Sequence, residues 1–220
     1  MDFKAKSTRR ISFFGLLIAC LLLTSCAQPS KIYASNKKEG VYFALPQGWK
    51  KVTQQQLAIQ ESKSTASRAA ERAASVLWQE AYSPDGLIDA KSILSLSTPT
   101  KPIVYIRVRS LLGDEINSVS YNSLRDLVVP LTGWVNGTTK APNFDISNDE
   151  ERVEKGARGM HTVFRFDQLD GSSQTIDQTS LLSNDHTIIY VLIIRCSTTC
   201  YNKQRGALEK IAASFTVRGK

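Results

Sequence analysis

The apolar residues of this chain form one unbroken run near the start and a series of shorter, periodic stretches after it. Residues 11–23 (ISFFGLLIACLLL) make up the run. Its length fits the roughly 7–15 residues of a secretory h-region and falls short of the roughly 20 that a spanning helix needs. Polar, mixed sequence follows at 27–38 (AQPSKIYASNKK) and reads as a tether. From Gly40 the pattern predicts folded elements. Residues 40–45 (GVYFAL) have strand content, and Pro46-Gln47-Gly48 turns the chain into Trp49. Thr53 is placed to N-cap a helix from Gln54, with Gln56 at the N3 position of a capping box. Ala66, Ala69, Ala70, Ala73, Ala74, Leu77, Trp78 and Ala81 recur at spacings of three and four, which predicts an amphipathic helix reaching residue 82. Its alanine stripe predicts close approach to a sheet.

Beyond a turn at Ser83-Pro84-Asp85-Gly86, residues 93–97 predict a short strand and 102–111 (PIVYIRVRSL) a longer one, with Val104, Ile106 and Val108 on one face. Ser120 caps an expected helix that stops near Pro130. Residues 131–149 read as loop, and Asp149-Glu150-Glu151-Arg152 as a solvated turn. Residues 152–158, 160–166, 174–182 and 187–195 predict successive antiparallel strands, with hairpin turns at Asp170-Gly171 and Asn184-Asp185. Residues 187–195 (TIIYVLIIR) carry the burial of a central strand. Residues 201–213 suit a helix with Ala207, Leu208, Ile211 and Ala212 inward, and 214–217 a closing strand. The fold class expected is α+β, an antiparallel β-sheet flanked by helices.

The N-terminus changes this picture most. Lys4, Lys6, Arg9 and Arg10 precede the apolar run, and Leu23-Thr24-Ser25-Cys26 follows it. This segment resembles the lipobox of bacterial lipoproteins, which implies cleavage after residue 25 and lipidation of Cys26. The organisation expected is therefore a signal peptide at 1–25, a lipidated cysteine and tether at 26–39, and one domain at 40–220. Acyl chains bury about 0.8 kcal/mol per CH₂, and stable attachment takes more than one chain. The expected location is the extracytoplasmic face of a membrane, without crossing it. Ala27 stands where an aspartate is associated with inner-membrane retention, which favours the outer membrane if the host has one.

The remaining chemistry is sparse. The chain carries 28 Lys+Arg against 20 Asp+Glu, and removing residues 1–25 leaves 24 against 19, a net charge of +5. These charges are scattered without an aromatic-rich basic stripe, so no nucleic-acid partner is expected. Cys196 and Cys200 (CSTTC) are expected to pair outside the cytoplasm. They lack CxxC spacing, and zinc would need two more ligands where this part of the chain has only His161 and His186. No metal or cofactor is expected.

No nucleophile elbow, P-loop or metalloprotease motif occurs, so no catalytic residue is assigned. A hydrolase would require His161 or His186 to lie beside a serine or carboxylate in a cleft. Trp49 and Trp78 fall at expected core positions. Trp134, in PLTGWVNG, is expected to be exposed and is the candidate contact with an unidentified protein partner.

Phe43-Ala44-Leu45-Pro46-Gln47-Gly48-Trp49 is similar to the F-x-x-P-x-G-W opening of the PsbP/Mog1-like fold. Ser214-Phe215-Thr216-Val217 resembles its terminus, and Ser123-Leu124-Arg125-Asp126 its S-L-x-D helix. The resemblance implies an α/β/α sandwich used for assembly and protein binding, and its motifs are packing motifs. The expected role is a non-enzymatic binding or assembly-accessory lipoprotein. A small-molecule or lipid-binding role would show itself as a deep apolar cavity between the alanine-rich helix and the sheet.

Overall fold

The computed structural model describes residues 31–219. The expected signal peptide and Cys26 lie outside the described residues. Residues 31–220 form one unit of ten strands and six helices, counted among the described residues. It opens with β1 (Lys31–Asn36), β2 (Val41–Pro46) and β3 (Lys50–Val52), followed by α1 (Gln54–Glu61) and α2 (Ala69–Ala74). Next come β4 (Val76–Ser83), α3 (Ala90–Leu94), β5 (Ile103–Ser110), α4 (Tyr121–Arg125) and α5 (Leu131–Val135). The last part is β6 (Phe144–Val153), β7 (Ala157–Asp167), β8 (Ser173–Ser183), β9 (Ile188–Ser197), α6 (Thr198–Ser214) and β10 (Thr216–Val217).

Seven strands form an antiparallel sheet in the order β3-β4-β5-β9-β8-β7-β6, and three form a smaller one in the order β1-β2-β10. Strand β9 lies between β5 and β8 and is buried on both faces, as its continuous apolar run predicts. On one face of the large sheet, Val104, Ile106, Val108, Tyr190, Leu192 and Ile194 pack in one core with Phe43 and Leu45 of the small sheet and with α6. On the other face, the short helices α1 and α3 to α5 close three smaller cores. The molecule is thus an α+β sandwich.

Several local expectations hold. Thr53 and Gln56 make the reciprocal capping box at the start of α1. Ser120 caps α4, though that helix is only five residues long. Val104, Ile106 and Val108 share the buried face of β5. Helix α6 buries Leu208, Ile211 and Ala212, while Tyr201 rather than Ala207 completes its inner face.

Other expectations do not hold. Residues 31–36 are a strand: Ile32 and Ala34 alternate inward and β1 pairs with β2 along its whole length, so the folded unit begins inside the expected tether. The helix expected to reach residue 82 is two short helices separated by residues 62–68, and Arg68, at the start of the second, has a left-handed φ of 60°. It ends before β4, an eight-residue strand buried on both sides between β3 and β5. Two-sided burial erases the alternation that marks a half-buried strand, and the alanine spacing reads on through it. Residues 90–94 are helical, not extended. The supposed loop and turn at 131–152 contain α5 and the charged edge strand β6. Trp134 is 9% exposed and packs 5.6 Å from the Phe144 ring and 5.4 Å from Phe166, so it is a core residue and not a surface contact.

Candidate functional site

Two concavities open on opposite faces of the large sheet. The first lies between α6 and strands β6 and β7, with a volume of about 810 Å³. His161, at the middle of β7, is its chemical centre. Residue His161 pairs with Glu150 on β6, while Asp177 on β8 points to the same face and is almost fully buried. The His161 Nε2 lies 2.9 Å from Asp177 Oδ1, and the Tyr201 hydroxyl donates to Asp177 Oδ2 at 2.8 Å. The other ring nitrogen, Nδ1, faces Glu150 Oε1 and the Asn148 side-chain amide, each at 3.2 Å. Burial of the ring disfavours its proton, but the Asp177 carboxylate, then Glu150, outweighs this and lifts His161 above the ordinary histidine range. The bond from His161 holds Glu150 below the usual carboxylate range. Burial, reinforced by Asp177, pushes the Tyr201 phenol far up.

The histidine expected in a strand is there, beside two carboxylates. The nucleophile is missing: among the described residues no serine, threonine or cysteine hydrogen-bonds His161, and both ring nitrogens are engaged by other groups. His186 sits apart, at φ 57° in the turn before β9. Among the described residues no group of three or more His, Cys, Asp or Glu side chains is placed to hold a metal ion.

The second concavity, of about 380 Å³, lies between α2 and the opposite face of β5 and β9. Ala69 and Ala73 of α2, with Ala66 ahead of it, line one wall, and Ile189, Val191 and Ile193 line the sheet side. Leu94 and Leu127 add apolar wall, and Glu61, Arg72, Arg107 and Arg109 supply charge. The close approach predicted from the alanine spacing does not hold: α2 buries none of its residues and faces the sheet across this open space.

The charges are ordered by the elements around them. Arg107 pairs with Glu61 at the end of α1, donates to the Tyr105 hydroxyl at 3.1 Å, and reaches the Arg72 carbonyl at 3.4 Å. Burial pushes the Tyr105 phenol up to about 12. Arg109 is held by Glu115 in a two-point pair at 2.6 and 3.0 Å. Arg68 clamps the start of α2 to Asp114 at 2.6 and 2.9 Å. Arg72 bonds the Ser67 carbonyl and has no carboxylate partner among the described residues. Sequence reasoning missed Arg107 and Arg109 as site residues, although their alternation with Val104, Ile106 and Val108 already put them on the opposite face.

Cys196 and Cys200 are joined by a disulfide, with Cα atoms 5.9 Å apart, across the junction of β9 and α6. Both are buried, so the bond fastens the helix start to the sheet and takes no part in either concavity.

With both faces of its sheet covered, the chain is an antiparallel α+β sandwich with two open concavities. No family model matches it, and no curated protein matches it in sequence. Among solved structures it is similar to cyanobacterial PsbP (CyanoP) from Synechocystis sp. PCC 6803, at 15% identity over 89% of this chain and 99% of that one, with a TM-score of 0.47. It is also similar to LpqN, involved in cell envelope biogenesis of Mycobacterium tuberculosis, at 13% identity over 84% and 89%, TM-score 0.46. A third is the Saccharomyces cerevisiae Ran-binding protein Mog1p, at 11% identity over 86% and 96%, TM-score 0.44.

Proposed function

We propose that this chain is a non-enzymatic binding or assembly-accessory protein, held on the extracytoplasmic face of a membrane by lipid on Cys26. The anchor rests on the basic start, the apolar run and Leu23-Thr24-Ser25-Cys26. Among the described residues no helix is long and apolar enough to cross a membrane. The observation that carries binding over catalysis is the closure of the His161 cluster on itself. Asp177 commits one oxygen to His161 and the other to Tyr201, and Nδ1 is occupied by Glu150 and Asn148. A general base in that condition has no lone pair directed at a substrate.

The test is recovery of the native protein from crosslinked membranes, with Cys26→Ala as control, alongside metabolic labelling with an alkynyl fatty acid. Label on wild type and not on the variant, with a partner recovered only from the anchored form, supports the reading. An unlabelled chain sinks the anchor, and turnover in an esterase or peptidase screen that His161→Gln abolishes sinks the non-enzymatic role. A second reading, small-molecule binding, is favoured by the apolar-floored cavity under α2.

A further inference from the structure

The cavity between α2 and strands β5 and β9 has a definite ligand chemistry, and this inference rests on the small-molecule reading above. We propose that it takes an alkyl chain ending in an acid group, the chain lying on Ile189, Val191 and Ile193 and the acid meeting Arg72. Three observations converge. The floor is apolar and the facing wall is alanine, which leaves space where larger side chains would have packed. Helix α2 buries none of its own residues, so it stands over this floor without a core beneath it. The lining carries three guanidinium groups, Arg72, Arg107 and Arg109, against one carboxylate, Glu61. Glu61 is committed to Arg107, and Arg109 to Glu115, which leaves Arg72 as the guanidinium with no carboxylate partner among the described residues.

The volume falls within the range of about 300–1,000 Å³ of small-molecule sites, which are mostly apolar with a few placed polar groups. An alkyl chain replaces the floor's contact with water and gains about 0.8 kcal/mol per buried CH₂. Affinity should therefore rise about fourfold for each methylene added until the cavity is full. An acid group then supplies Arg72 with a charge-assisted partner, where an alkyl cation would meet the unpaired Arg72 as a like charge.

The experiment is photolabelling of the full chain in nanodiscs with a diazirine-bearing decanoate, mapped by peptide mass spectrometry. Adducts are expected on the peptides containing Ala69 to Ala73 and Ile189 to Ile193. Excess decanoate should compete for them and decyltrimethylammonium should not. Ala73→Leu, which fills the space from a half-exposed helix position, should cut labelling at least tenfold, and so should the surface substitution Arg72→Glu. Circular dichroism checks that both variants fold. Labelling scattered over the surface overturns the proposal, as does site-specific labelling unchanged by both variants or competed equally by the cation. Peptides protected from label without competition by decanoate would mean that a second copy or another protein fills the cavity, which also overturns it. The anchor is tested separately by labelling of Cys26, so either result can fail without the other.

Discussion

At the scale of single residues, His161 is placed to report pH. Its Nδ1 faces an acceptor, Glu150, and a donor, Asn148, so the charged ring bonds the first and the neutral ring the second. Its folded-state proton affinity is raised above the ordinary value of 6.5. The stabilisation from the charged ring is therefore fully present below about pH 6.5 and lost as pH rises through the higher folded value. His161→Gln should cost about 2 kcal/mol near pH 5.5 and clearly less near pH 9, read from urea melts of both proteins at each pH. An equal loss at both pH values would remove the charged-state role. Gly159 makes a second residue-scale prediction. A Cβ there would run into the Ser180 carbonyl and sit 2.9 Å from Leu181 Cα, both on the neighbouring strand β8. Gly159→Ala should lower stability by about 1–3 kcal/mol in a denaturant melt.

The same scale shows why some side chains are legible in the sequence and others are not. Thr53 and Gln56 announce a cap because the whole interaction is contained within four residues. Trp134 misleads because its neighbours Gly133 and Gly137 signal a loop, while the rings that cover it, Phe144 and Phe166, come from distant strands. His161 is legible as a strand residue, but its meaning depends on Asp177 and Tyr201, which only the sheet and α6 bring to it.

At the scale of elements, Arg195 explains why residues 93–97 are not a strand. This buried arginine on β9 donates to the carbonyls of Ser92 at 2.8 Å, Ile93 at 3.2 Å, Ser95 at 2.6 Å and Ser97 at 2.8 Å. Those carbonyls converge on one cation, a geometry a ladder of parallel hydrogen bonds does not allow. Arg195→Met should leave them unsatisfied, cost at least about 2 kcal/mol, and raise amide exchange first in residues 90–97. Slow exchange there in the variant would show that the segment is held by other contacts. The disulfide acts on one junction. Its loop is short, so Cys196→Ala with Cys200→Ala should cost less than the roughly 3 kcal/mol that chain entropy assigns to a 15-residue loop. A larger loss by thermal melt would mean that the bond does more than fasten the start of α6. Strand β6 is hidden for another reason. An edge strand is kept soluble by charge, and here Asp149 meets Arg125 and Thr162 while Arg152 meets Glu154, so the cluster looks like a turn.

At the scale of the whole molecule, the two ends of the domain are built into one sheet. Strand β2 lies between β1 and β10, and both Phe215 and Val217 are fully buried against it and the main core. Arg152 reinforces this closure from β6 by donating to the Ala212 and Phe215 carbonyls at the end of α6. A chain ending at Ser214 should lose cooperative unfolding and bind a hydrophobic dye, whereas one ending at Val217 should melt as a single transition. The antiparallel α+β class is legible because β7, β8 and β9 follow one another through short hairpins. Two strands of the small sheet are legible singly, but their pairing is not, because β2 and β10 lie almost the full length of the domain apart.

That pairing also has a consequence in time. The strand that seals the small sheet leaves the ribosome after every other element of the domain, so the chain spends nearly all of its synthesis without a finished core. A polypeptide in that open condition has the apolar faces of β2 and α6 still unsealed. Closure between the two ends then sets the moment at which the polypeptide becomes a folded protein.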